Sequence, residues 1–143
     1  LGFAFSWGVI MVSSAELNTI SIASLIIFSS CFLWILAYDS EYAMSDMEDD
    51  VLIGIHSSAL TLGKYVKVMI IICHLSSLLL WFCVGYLTNI GSPFYISLLI
   101  VSILIFYQYL LIKDYDREKC FQAFRNNNWV GMVIFIGAVL GTL

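Results

Sequence analysis

Residues 39 to 63 read DSEYAMSDMEDDVLIGIHSSALTLG, and this stretch opens with six of the ten acidic residues of the chain: Asp39, Glu41, Asp46, Glu48, Asp49 and Asp50. A helix turning ~100° per residue brings Asp39, Asp46 and Asp50 onto one narrow stripe. Tyr42 and Asp49 flank that stripe, while Glu41 and Glu48 point to the opposite side. Asp46 and Asp50 stand one turn apart, ~6 Å along the axis, where side chains become neighbours. No Lys or Arg falls on the stripe to neutralise them. Like charges at that spacing repel, and more so near a low-dielectric boundary than in water. Either one carboxyl keeps a proton or a cation bridges the pair. Oxygen-only donors suit a hard ion such as Mg²⁺, which takes one or two carboxylates and completes its shell with water and substrate phosphates. The Asp-x-x-x-Asp pair therefore points to a phosphorylated ligand, and a diphosphate above all. A calcium loop is excluded, because one beginning at Asp46 would put Val51 at its glycine position and Ser57 at its final glutamate position. A plain solvated acidic loop is the bland alternative. It does not explain why three Asp share a stripe from which the Glu residues are absent.

The elements that must hold this stretch are apolar. The chain of 143 residues is 62% hydrophobic and 11% charged, with a single Pro. That is the composition of a membrane protein, and it accommodates about five spans of ~20 residues across a ~30 Å hydrocarbon core. Residues 1–15 form a short apolar run, 20–38 a full span ending in Trp34 and Tyr38, 66–87 and 94–112 a hairpin of spans around a break at 88–93, and 129–143 a last apolar run. Residues 113–125 read as a charged loop, with Asn126 to Asn128 opening the last helix. No Gly or Pro interrupts residues 39–53, so the helix of the 20–38 span is expected to run on past the membrane edge. The fold class is all-α, a multi-pass transmembrane helix bundle.

All six Lys and Arg (Lys64, Lys67, Lys113, Arg117, Lys119 and Arg125) fall in the two regions on one side of the hairpin. The positive-inside rule puts that side, and the acidic stretch with it, in the cytoplasm. Six cations are too few and too scattered for a nucleic-acid partner. The four cysteines show no C-x-x-C spacing and read as small packing hydrophobes. Gly8, Ser29, Ser30, Ser76, Ser77, Gly131, Gly137 and Gly141 are expected to let helices approach closely. His74, in mid-span, reads as a hydrogen-bonded packing residue. Lys64 and Lys67 read as interfacial anchors of the next helix, with Lys64 a candidate contact for a diphosphate. The opening Leu1, with no basic leader behind it, reads as the start of a piece of a longer protein.

DSEYAMSDMEDDVLIGIHSSA, from Asp39 to Ala59, closely resembles the second aspartate-rich motif of the UbiA-type membrane prenyltransferases. It is nearest to the branch that prenylates 4-hydroxybenzoate, whose pattern is D-x-x-Y-A-M-x-D-x-x-D-D-x-x-x-G-I-K-S-T-A. The likeness continues through REKCFQAFRNNNWVG, Arg117 to Gly131, and covers essentially the whole chain. His56 stands where that pattern has Lys, and Ser58 where it has Thr. The resemblance implies a bundle of nine helices of which residues 1–143 are the C-terminal part of one integral-membrane domain. The first aspartate-rich motif, N-D-x-x-D-x-x-x-D, has no counterpart here, so half of the metal site lies in the absent N-terminal half. It further implies Mg²⁺ held by Asp46 and Asp50, catalytic roles for Asp39 and Tyr42, and substrate contacts from Asp49 and Lys64. The implied reaction joins a polyprenyl diphosphate to 4-hydroxybenzoate in ubiquinone biosynthesis, within the lipid bilayer of a bacterial inner membrane. Two alternatives remain open at this point: another aromatic acceptor, and a non-enzymatic transporter subunit whose acidic ring attracts cations.

Overall fold

The computed structural model describes all residues, Leu1–Leu143, as six α-helices joined by short connections, without a strand. The longest is α2, Ile22–Ile53, at 32 residues. At 1.5 Å per residue it extends ~48 Å, well beyond a ~30 Å hydrocarbon core. Its start is fixed by Ser21, whose side chain accepts from the Ser24 backbone N–H, and its end by Gly54 at φ 73. That left-handed conformation is nearly free for glycine and costly for other residues, which is why the helix stops there. The expected continuation of the helix beyond residue 38 is therefore observed, with the acidic residues on its last four turns.

Around α2 lie α1 (Gly2–Leu17), α3 (Ser58–Leu62), α4 (Val66–Thr88) and α6 (Arg117–Thr142), and α2 packs against each of them; α5 (Ser92–Ile112) packs on α4 and α6. One buried cluster unites Ala37 and Met44 of α2 with Ile70 and Cys73 of α4 and Ala123 of α6. A second joins Phe94 and Val101 of α5 to Val130 and Ile134 of α6. The α2–α4 contact carries a reciprocal polar clasp, in which Ser30 Oγ donates to Ser77 O at 2.9 Å and Ser77 Oγ to Ser30 O at 3.0 Å. Gly137 lies so close to Ser97 that a β-carbon there would overlap its side chain, and one at Gly131 would meet Trp34 at 2.9 Å. The close-packing role expected of these small residues holds for both. It does not hold for Gly8, where a β-carbon would meet open space.

First, three stretches of helix (Ile22–Ile53, Ser58–Thr88 and Ser92–Ile112) are long and apolar enough to cross a membrane, three of the about five spans expected. The 16 residues of α1 are apolar but shorter, and the first three turns of α6 mix polar residues with Cys120, Phe121, Ala123 and Phe124. Second, residues 113–125 are a loop only as far as Asp116. The Asp116 side chain caps α6 by accepting from the Lys119 N–H at 2.9 Å, and Glu118 in the first turn favours the positive end of the helix dipole. Asn126 to Asn128 consequently lie in the third turn of α6 and do not open it. Third, His74 is buried with its Nε2 unpartnered, so the hydrogen bond expected for it is absent there.

Candidate functional site

The helix register separates the carboxylates of α2 by environment. Asp39, Asp46 and Asp50 are half-buried, Glu48 and Asp49 are exposed, and Glu41 is completely enclosed. Asp46 lies beside Tyr42 and receives a long hydrogen bond from Ser45 Oγ at 3.4 Å. The Asp46 carboxylate pushes the Tyr42 phenol above its ordinary pKa, and Asp50 adds to the effect. Tyr42, which flanks the stripe, thus lies close to Asp46 and Asp50, and Asp39 stands two turns earlier beside Tyr38.

Asp49 is engaged differently. Arg117 at the start of α6 donates to its Oδ2 at 2.6 Å, and the same carboxylate raises the guanidinium above its already high pKa. Both side chains are about half exposed, so the pair contributes little to stability. Arg117→Ala is expected to leave the thermal unfolding midpoint unchanged within error. What the pair does is local: it engages the one carboxylate of this face that is off the stripe, and Asp46 and Asp50 stay outside any ion pair. Lys64 is exposed over the ring of Tyr65 at 5.2 Å and forms no ion pair with the stripe. Lys67 donates to Lys113 O at 2.8 Å, which ties the start of α4 to the loop before α6.

The donor set fits a hard cation in one specific way. Asp46 and Asp50 offer carboxylate oxygens one turn apart and accessible, yet no three His, Cys, Asp or Glu side chains converge to form a self-sufficient cage. Two carboxylates suit an ion that also takes phosphate and water oxygens.

Toward the membrane, α2 continues this face with aromatic rings. Tyr38 and Tyr42 precede Asp46 at four-residue steps that each wind ~40° around the axis, so Tyr42 stands nearest the acidic pair, whereas Trp34 lies on the side of Glu41. Phe124 of α6 closes over the two tyrosines, 6.0 Å from Tyr38 and 5.1 Å from Tyr42 between ring centroids. A cleft of about 430 Å³ opens beside these rings between α1, α2 and α6, lined by Phe5, Trp34, Tyr38, Phe124 and Arg125 among others. The rings lead from an apolar cleft to the acidic pair.

Glu41 is the residue that the sequence did not single out. Asn127 of α6 donates from Nδ2 to Glu41 Oε2 at 2.8 Å, and accepts at Oδ1 from Trp34 Nε1, also at 2.8 Å. Burial pushes the Glu41 carboxyl up to about 8, against the opposing pull of the Asn127 hydrogen bond. Its ordinary value is 4.5, so the native protein holds a proton on Glu41 over a range in which the unfolded chain has lost it. The stabilisation is complete below about 4.5, declines as the pH rises, and is gone above about 8. We expect the thermal midpoint to fall across that window, and a Glu41→Gln protein to lose that part of the slope; melting curves at stepped pH read both.

A strand-free bundle of apolar helices, one of them carrying an acidic extension, defines an integral membrane protein of the helical-bundle class. The chain belongs to the UbiA prenyltransferase family, whose sequence model matches residues 1–139. It is 44% identical over 143 residues to a protein of Nitrosospira multiformis named 4-hydroxybenzoate octaprenyltransferase, covering 100% of this chain and 49% of that one. A protein of Aeromonas hydrophila with the same name is 43% identical over 143 residues, with 50% of its length covered. One from Escherichia coli, again so named, is 41% identical over 140 residues, with 98% of this chain and 48% of that one covered. The chain thus spans about half the length of the curated relatives it matches. No solved structure matches it.

Proposed function

We propose that the full-length protein transfers a polyprenyl group from a polyprenyl diphosphate to the ring of 4-hydroxybenzoate, ortho to the hydroxyl, as a step of ubiquinone biosynthesis. The observation that carries this reading is the close succession on α2 of the Tyr38 and Tyr42 rings, packed on Phe124, and the carboxylate pair Asp46 and Asp50, which no ion pair engages. It offers an apolar aromatic cleft at one end and diphosphate-type chemistry at the other. The names of the relatives support the same donor and acceptor.

Asp46 and Asp50 would hold Mg²⁺. The bound ion would supply electrostatic stabilisation of the charge that develops on the departing diphosphate. The residues of the chain do the rest. Asp39 and Tyr42, on or beside the stripe, orient substrate or water next to the carboxylate pair. Asp49, held by Arg117, keeps that guanidinium at the rim, where an anionic donor arrives, and Lys64 adds a second cation on the same side. Tyr38, Tyr42 and Phe124 enclose the reacting carbons, exclude water and present π faces to an allylic carbon that becomes cation-like as its C–O bond breaks. The phenol ring attacks that carbon, and the ring proton is then lost. The isoprenoid tail lies among apolar helices. With every Lys and Arg on the side of the acidic stretch, the site faces the cytoplasm from a bacterial inner membrane.

Membranes containing the full-length protein, given labelled 4-hydroxybenzoate, a polyprenyl diphosphate and Mg²⁺, are expected to form a ring-prenylated, still-carboxylated product. EDTA should abolish product and added Mg²⁺ restore it. A protein that prenylates a naphthoate and ignores 4-hydroxybenzoate would overturn the acceptor assignment. Ion flux without any prenyl transfer would overturn the enzymatic reading altogether.

A further inference from the structure

We propose that Glu41 is a positioning residue that acts as a neutral acid in a buried clamp with Asn127 and Trp34, fixing the rotation of α2 and hence the direction in which Asp46 and Asp50 face. Trp34 and Glu41 are seven residues apart, which places them on nearly the same side of α2 two turns apart. Both are bonded to one side chain, Asn127 on α6, at 2.8 Å each. Asn127 is in turn anchored by its Nδ2 to its own helix, at Ala123 O and Phe124 O, 3.2 and 3.3 Å away. Two attachments along α2 to one point on α6 resist rolling as a single attachment cannot. A roll by one residue would swing Tyr42 and Asp46 together through ~100°, away from Phe124 of α6.

The clamp needs Glu41 uncharged. The residue has no exposed surface, and neither of the chain's two ion pairs includes it. The titratable groups facing it across the interface are Cys120 of α6 and, beyond that thiol, Lys67 of α4, whose amine is committed to Lys113 O; the acidic neighbours Asp39, Asp46 and Asp50 belong to the other side of α2. Glu41 Oε1 is buried and without a partner, where a protonated carboxyl carries its O–H and a glutamine would carry its amide nitrogen. Burial raises the carboxyl to about 8, in keeping with that form. Ionisation would strengthen the Asn127 hydrogen bond but leave an uncompensated charge inside the helix contact, and the larger cost of that burial would part the two helices.

The inference rests on the reaction proposed above, so the test uses full-length protein in membranes and measures kcat and KM for prenyl transfer across a pH range that brackets 8. Glu41→Gln is expected to keep kcat within about twofold of wild type, and to lack the fall in rate that wild type shows as Glu41 ionises. Asn127→Leu and Glu41→Leu are expected to lower kcat by about 10²-fold with little change in KM, the effect of ~1 Å misplacement. Trp34→Phe, which removes only the N–H donor, is expected to lower kcat less. It serves with Glu41→Gln if the leucine variants fail to accumulate. A Glu41→Gln enzyme as impaired as Glu41→Leu, an alkaline fall that persists in Glu41→Gln, or wild-type rates in Trp34→Phe would each overturn the clamp. An inactive wild type would instead bring down the reaction and the clamp with it.

Discussion

Full-length protein carrying Asp46→Ala or Asp50→Ala is expected to insert into membranes normally and to lose prenyl transfer by about 10²- to 10³-fold or more, the scale on which electrostatic stabilisation of a leaving group is felt. The two residues stand one turn apart beside Tyr42 and form no ion pair in this chain. Their removal takes away the carboxylate pair proposed to hold a cation against a diphosphate. The specificity of the effect separates it from a general loss of negative charge. Glu48 is exposed and turned off the stripe, so Glu48→Ala should leave the rate unchanged. Equal losses from Glu48→Ala and Asp46→Ala would mean that the acidic segment acts as a diffuse field and not as a site.

The second large effect concerns the platform. Gly137→Leu is expected to destabilise the bundle by about 1–3 kcal/mol or more, because α5 and α6 would have to separate to admit a side chain. Gly137 is buried against Ser97 and the Pro93 carbonyl, which are backbone and near-backbone groups of α5 that cannot swing aside. Gly8→Leu, at a position where a β-carbon meets nothing, is the control and should melt as wild type does. Thermal unfolding in detergent compares the two directly. Since α6 carries Asn127, Phe124 and Arg117, a shifted α6 should also depress prenyl transfer in the Gly137 variant before it unfolds.

The acidic extension of α2 was legible because local features specify it: no breaker between residues 39 and 53, then Gly54 to stop the helix. The stripe followed from helical geometry alone. The charged 113–125 segment was misread because polarity resembles a loop when composition alone is weighed. Its helix signal was nonetheless present, with Asp116 at the N-cap, Glu118 in the first turn and good helix formers following. The pair Tyr38 and Tyr42 is likewise visible at four-residue spacing, though the Phe124 ring that packs on it comes from another helix. Glu41 was beyond reach for a different reason. Its partner is 86 positions away, and a single sequence does not reveal which Asn of three turns inward. A glutamate on the side of α2 away from the stripe, facing the bundle, was the available hint.

The central claim is that the carboxylate row at the end of α2 holds a diphosphate through a divalent cation. It is tested most directly by equilibrium binding of inorganic diphosphate to the full-length protein, with and without Mg²⁺, in wild type and in Asp46→Asn and Asp50→Asn. We predict binding that requires Mg²⁺, is reversed by EDTA and is lost in both variants, with Glu48→Gln binding as wild type does. Binding that is indifferent to Mg²⁺, or retained in both aspartate variants, would contradict it.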